Sequence, residues 1–323
     1  MHAVRVHAPG GPEALVFEEV PDPTPGPGEA LIKVEAAGVN FIDVYLRTGH
    51  YKGPGFPTVP GQEAAGVVEA VGDGVTEVAV GDRVAYTNVP GAYAEKAAVP
   101  AARLVKLPEN VTTRQGAAAM LQGMTAHYLS NSVYPLKPTD TCLVHAAAGG
   151  VGLLLCQMAR LRGARVLGTV GSEEKAALAL AAGAQEVIRY QEKDFADEAR
   201  RLTDGKGVAV IYDGIGKTTF ERGLDALAQR GTMVLFGGAS GPVAAIDPLV
   251  LMQKGSLVLT RPTLLHFVAT REELVERATQ VLRWVADGTV TLRTEIEYPL
   301  AEAAEAHRAL EGRRTTGKVL LIP

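Results

Sequence analysis

The sequence predicts an α/β fold, a doubly wound parallel sheet with helices on its faces, together with a second, mostly antiparallel β domain. Three observations predict it. Apolar runs alternate with helical stretches through the middle of the chain, and a glycine-rich turn follows the first of those runs. The region before it consists of short alternating strands broken by proline and glycine.

In chain order, Ala30-Leu-Ile-Lys-Val-Glu-Ala36 and Gly66-Val-Val-Glu-Ala-Val71 alternate as half-buried strands do. The breaks Pro21–Gly28, Val71-Gly-Asp-Gly74 and Val89-Pro-Gly91 are turn chemistry, and the proline-rich first one reads as a stiff loop. Thr141-Cys-Leu-Val-His145 is then a buried strand, and Ala146–Gly152 turns it into a helix. This is the pattern that cradles a pyrophosphate: Gly149 admits close backbone approach, and Gly152 lets the helix pack on the strand. The helix N-terminus, which begins at Gly150 and Val151, offers unpaired N–H groups and a positive dipole end to the anion. Ala147 stands where the usual motif has its first glycine.

Arg165-Val-Leu-Gly-Thr-Val-Gly171 is a second strand, and Ser172 is placed to cap the helix that follows. Further apolar runs, Gln185–Tyr190, Val208–Asp213 and Thr232–Phe236, complete the alternation. Five such units in order predict a Rossmann domain. The second strand also bears on the cofactor. An NAD site carries Asp or Glu roughly 20 residues past the glycine turn to bind the ribose 2′-OH. Here Gly171 and Ser172 occupy that place, with Lys175 one turn on and Tyr190 near enough to contact a 2′-phosphate, so NADPH is the expected cofactor. Glu173 and Glu174 fit the first turn of a helix. After about residue 260 the alternation stops. Arg271–Ala286 is one amphipathic helix with Leu274, Ala278, Val281, Leu282 and Val285 on its apolar side; a short helix, Ala301–Leu310, and a strand, Lys318–Ile322, follow. Periodicity allows this tail to close the Rossmann sheet or to return to the first domain.

Length fits two domains: 323 residues, 47% hydrophobic and 5% aromatic. A net charge of −4 and the lack of a basic-aromatic patch oppose nucleic-acid binding. No apolar run reaches a membrane span and no signal-peptide pattern appears, so a cytoplasmic protein is expected. Cys142 and Cys156, the only two cysteines, fall in core elements and build neither a zinc cluster nor a disulfide framework.

The ordered motifs Gly38–Asp43, Pro60–Gly66, Gly81–Val84, Gly91–Glu95 and Ala146–Gly152 resemble the medium-chain dehydrogenase/reductase superfamily. Within it the chain resembles the zeta-crystallin-like NADPH:quinone oxidoreductases, over essentially its whole length. The resemblance implies a GroES-like catalytic domain (1–120), the Rossmann domain (121–260) and a C-terminal segment (261–323) returning to the catalytic domain. It implies a homodimer paired through edge strands, here Leu257–Thr260. Zinc alcohol dehydrogenases of the superfamily carry Cys at Asn40, His at Gln62 and a four-cysteine lobe that this chain lacks. Catalytic zinc needs three protein ligands, so zinc-free chemistry is expected, with Glu63 as a hydrogen-bonding residue.

A quinone accepts hydride without a Lewis acid, and catalysis then consists mainly of holding it against the nicotinamide in a dry cleft. The resemblance puts Asn40, Tyr45 and Tyr51 at that site. Asn40 is read as an amide for the cofactor or acceptor oxygen, and the tyrosines as wall and proton donor or as half-buried packing residues. Asp43 reads equally as helix cap and as ligand contact. Tyr128, Gly149, Gly150, Val151, Gly171, Ser172, Lys175, Tyr190, Gly214, Phe236, Gly237 and Arg313 match cofactor-contact positions. His145 reads as a satisfied strand-end histidine and His127 as a packing or solvent-facing one. Two rival readings remain: an enal or enone reductase, which needs a positioned acid for the α-carbon, and a zeta-crystallin-like binding or structural role.

Overall fold

The computed structural model describes residues 1–53 and 55–323, which form two compact units, Met1–Met124 with Val268–Pro323 and Thr125–Phe267. The expected divisions at 120 and 260 lie a few residues before these.

The first unit is built on β1 (His2–Val6), β2 (Leu15–Glu19), β3 (Glu29–Val39), β4 (Glu63–Val71), β5 (Arg83–Thr87), β6 (Lys96–Pro100) and β7 (Val105–Lys106). Helix α1 (Phe41–Arg47) leaves the end of β3, and α2 (Thr113–Tyr128) follows β7. β1 and β2 form a hairpin. β3 alternates buried and exposed residues, then becomes buried throughout from Ala36 to Val39, which carries the chain into the interior just before Asn40.

The second unit is one parallel sheet: β8 (Thr141–Val144), β9 (Arg165–Val170), β10 (Glu186–Arg189), β11 (Val208–Asp213), β12 (Leu227–Leu235) and β13 (Val258–Thr260). Its helices are α3 (Gly150–Leu161), α4 (Glu173–Ala181), α5 (Phe195–Leu202), α6 (Phe220–Ala226) and α7 (Leu249–Gln253). The strand order, β10-β9-β8-β11-β12-β13, reverses between β8 and β11, and such sheets bind ligand outside the strand ends at that reversal. Leu143, Leu167, Ile188, Ile211 and Met233 form its core. β12 is longer than expected: Leu227 already pairs in parallel with Val208, and the register then shifts so that Thr232 meets Val210.

The chain then returns to the first unit as α8 (Arg271–Ala286), β14 (Ile296–Pro299), α9 (Ala303–Glu311) and β15 (Val319–Ile322). β15 pairs antiparallel with β3, extending a sheet ordered β14-β15-β3-β4-β5-β7, with β6 also on β3. Leu300, Ala306 and Leu321 enter the same core as Ile32, Val68 and Tyr93. α8 begins and ends as expected, on a Thr270–Glu273 capping box, with all five expected apolar residues buried. Among the described residues no helix is long and apolar enough to cross a membrane.

Candidate active site

In the second unit the turn after β8 is formed by Ala146, at φ +49°, whose carbonyl accepts the Gly149 N–H at 2.8 Å. The first helical bond of α3 runs from the Leu153 N–H to the Gly149 carbonyl at 2.9 Å. The N–H groups of Gly150, Val151 and Gly152 therefore have no intrahelical partner and lie at the positive end of a 12-residue helix, a site for an anion. A Cβ on Gly152 would lie 2.8 Å from the Ala147 Cα, so only glycine lets the helix start this close to the strand. Ala147, at the motif's irregular position, fits because its neighbour on β9 is Gly168, where a Cβ would come within 2.8 Å of the Ala147 methyl.

At the end of β9, Ser172 caps α4 by accepting the Lys175 N–H at 3.3 Å, and Lys175 is half-buried. The Tyr190 hydroxyl lies over Gly171, 2.8 Å from where a Cβ would be. Arg189 pairs with Glu173 at 2.9 Å, which offsets the first acidic charge of α4. Beyond β11 and β12, Gly214, Phe236 and Gly237 are in contact: a Cβ on Gly214 would meet the Phe236 ring at 3.0 Å. The buried Asp213 carboxylate accepts from the Ile215 and Gly216 N–H groups and the Thr219 hydroxyl, fixing that loop. Tyr128 is buried, its ring stacked 4.5 Å from that of Phe267. His145 corrects its expectation. Its Nδ1 pairs with the Thr169 hydroxyl at 2.9 Å, but Nε2 is buried with no hydrogen-bond partner among the described residues, and burial lowers its pKa.

In the first unit the fully buried Glu63 organises a polar cluster. Its Oε1 accepts the Leu121 N–H at 2.5 Å; its Oε2 accepts from Asn40 Nδ2 at 2.9 Å and from the buried Lys318 ammonium. Asn40 Nδ2 also donates to the Gly38 carbonyl at 3.2 Å, while Oδ1 accepts from Lys318 at 2.8 Å and from Gln122 at 3.2 Å. Two donated and two accepted bonds exhaust a primary amide. Asn40 thus has no amide capacity left for a cofactor or acceptor oxygen; it anchors the start of α1. Gly38 makes room, since a Cβ there would fall 2.6 Å from the Lys318 Nζ.

Asp43 proves to be a cap: its Oδ2 accepts the Asn40 N–H at 2.9 Å. Burial pushes its pKa up to about 7, against the Asn40 N–H, the Lys318 charge and the Tyr93 hydroxyl. Tyr45 and Tyr51 are half-buried with ring centroids 5.0 Å apart, and His50, unremarked in the sequence, stacks on Tyr51 at 5.2 Å. Gln62 lines a small cleft with Leu46, Arg47 and Pro90. Arg313 is exposed at φ +56° in the turn after α9, and His127 is half-buried.

This donor set does not suit a metal. Asn and Gln amides are weak ligands for zinc, and the one carboxylate already takes three donors, one of them an ammonium. Among the described residues no group of three or more His, Cys, Asp or Glu is placed to hold a metal ion. Lys318, Gln122, Tyr93 and His307 were missed by sequence reading. A lysine opening an otherwise apolar strand was the one available signal for Lys318.

The family described as alcohol dehydrogenase GroES-like domain matches residues 26–109, and that described as zinc-binding dehydrogenase matches residues 150–287. The chain is 46% identical over 321 residues to a quinone oxidoreductase of Pseudomonas aeruginosa, covering 99% of each. It is 42% identical over 330 residues to a 2-haloacrylate reductase of a Burkholderia species, covering 99% of this chain and 98% of that one. The crystal structure of Escherichia coli quinone oxidoreductase complexed with NADPH aligns over 100% of both chains with a TM-score of 0.98 and 43% identity.

Proposed function

The chain belongs to the medium-chain dehydrogenase/reductases, in their quinone oxidoreductase branch, and from this we propose that it is a zinc-free NADPH:quinone oxidoreductase. The observation that carries the chemistry is the cluster at the head of α1, where amides and an ammonium stand in place of metal ligands. The residues present fit the cofactor: bare N–H groups at Gly150–Gly152, a glycine that only a close-packed turn requires, and no carboxylate at Gly171–Ser172.

When bound, NADPH supplies a hydride from its nicotinamide ring. In this reading the N–H groups of the Gly149–Gly152 turn bind the pyrophosphate, and Ser172, Lys175 and Tyr190 receive the 2′-phosphate. Gly214, Phe236 and Gly237 line the nicotinamide half, with Tyr128 and Arg313 as further contacts. Tyr45 and Tyr51 form the aromatic wall for the acceptor, and their hydroxyls or water deliver protons to its oxygens. Asn40 and Asp43 position α1 rather than touch the acceptor. We further read the protein as a cytoplasmic homodimer paired through β13. Support comes from the sheet edge there, where Val258 is 52% exposed, while Leu257 turns into the core. Sedimentation of Val258→Lys, expected to be monomeric, tests the dimer.

NADPH oxidation screened against quinones, enals, haloacrylates and aldehydes tests the function. Quinones are expected to be the fastest acceptors. Tyr45→Phe and Tyr51→Phe should each lower quinone turnover about tenfold or less, below the ~10²–10⁴ of a lost general acid. Faster enal turnover that collapses in either variant would reverse the assignment.

A further inference from the structure

Asp43 and Arg47 stand four residues apart on α1, the spacing at which a carboxylate and a guanidinium on one helix ordinarily pair directly. Here the connection runs through two other residues. Arg47 Nη1 donates to His307 Nδ1 at 2.9 Å, His307 Nε2 lies 3.0 Å from the Tyr93 hydroxyl, and that hydroxyl donates to Asp43 Oδ2 at 3.1 Å. Chemistry fixes the direction. A guanidinium has no acceptor, so Nδ1 accepts; the neutral ring then carries its proton on Nε2 and donates it to Tyr93. Burial pushes the His307 pKa down to about 3, and the Arg47 charge acts in the same sense, so the ring keeps one tautomer across neutral pH.

The chain is also tied at its far end. Glu311, one turn along α9 from His307, accepts from both terminal nitrogens of Arg47 at 2.8 and 3.1 Å, and Arg47 Nε donates to the Gly10 carbonyl at 3.1 Å. The result is a closed ring: it leaves α1 at Arg47, passes through α9 and Tyr93, and re-enters α1 at Asp43. A seven-residue helix has little rigidity of its own. A ring holding two of its residues, one turn apart on the same side, fixes its rotation about its axis.

We propose that His307 and Tyr93 are positioning residues for the reaction, wedged between Asp43 and Arg47 so that α1 holds Tyr45 at a fixed angle to the acceptor. The inference rests on the quinone-reductase reading, because Tyr45 is taken as the acceptor wall.

Steady-state kinetics of the full chain with a water-soluble quinone, beside NADPH titration by fluorescence, tests it. His307→Leu cuts the ring on both sides and is expected to lower kcat/KM for quinone about tenfold or more. The NADPH Kd should stay within about twofold. His307→Gln, whose amide accepts from Arg47 and donates to Tyr93, should recover most of the loss. Leu and Gln variants that behave alike, or an equal loss of NADPH affinity, would overturn the proposal. Nitrogen NMR of the wild-type imidazole reads the ring without turnover. It is expected to show protonated Nε2, bare Nδ1 and no titration between about pH 5 and 8. A titrating or Nδ1-protonated ring overturns the proposal even where the leucine variant fails to fold. A wild-type chain inactive toward every quinone overturns the underlying reading and the positioning role with it. An active wild type with an indifferent His307→Leu variant overturns the positioning role alone.

Discussion

At the end of β9 the chain offers Gly171 and Ser172 where a carboxylate would repel a 2′-phosphate, with Lys175 one turn along α4. Losing one charge-assisted hydrogen bond costs about 1.5–3 kcal/mol, so Lys175→Ala is expected to weaken NADPH about 10- to 150-fold. NADH should be almost unaffected; equal losses for both cofactors would make Lys175 a structural residue. Lys318 carries a different weight. It is 2% exposed, and the carboxylate it faces is fully buried. Lys318→Met leaves Glu63 without its counter-charge, and such a loss costs about 3–5 kcal/mol. Adding Glu63→Gln should restore much of the stability in urea melts. A single variant as stable as the double would show that the pair does not hold this cluster together.

Between residues and molecule lies the strand-turn-helix of β8 and α3, where two departures from the common pattern compensate each other. Ala147 adds a methyl, and Gly168 on the neighbouring strand removes one. Gly168→Ala forces two Cβ atoms to within 2.8 Å, and neither can rotate away. Overpacking of this kind costs about 1–3 kcal/mol, and Ala147→Gly in the same chain should return it. Thermal melts of the two single variants and the double measure that coupling, and simple additivity would refute it. Elements of this sort were legible in the sequence because their causes are local. Glycine turns, the Ser172 cap and the period of α8 lie within a few residues of what they determine. The polar cluster was not legible: Lys318 meets Glu63 across 255 residues, and His307 meets Arg47 across 260. No local period encodes such a meeting. Nor did the sequence around Asn40 show that its amide is taken up by Gly38, Glu63, Gln122 and Lys318, three of which lie 23 to 278 residues away.

At the scale of the whole molecule, the first unit is written at both ends of the chain and the second is written in one piece. The core of the first unit includes Leu300, Ala303, Ala306, Val319 and Leu321. β3 gains β15 as a neighbour through Val319 against Val39, Leu320 against Gly38 and Leu321 against Ala37.

That arrangement sets an order of events during synthesis. Domains generally fold as they emerge from the ribosome, N-terminal first. Here the residues that emerge first must wait: when Phe267 has been added, Thr125–Phe267 is complete, but Glu63 still lacks Lys318 and Arg47 still lacks His307. The nucleotide-binding unit is therefore expected to become protease-resistant before the unit that precedes it, with the α1 cluster assembled last. Ribosome-bound chains stalled after Phe267, with enough downstream linker to clear the exit tunnel, should be cleaved within 1–124 and protected within 125–267. Protection of both stretches at that stage would show that the final segment is not needed to close the first unit. A nascent chain that ends before His307 leaves Glu63 without Lys318 and Arg47 without His307, so the order in which the polypeptide is made decides when these buried charges find their partners.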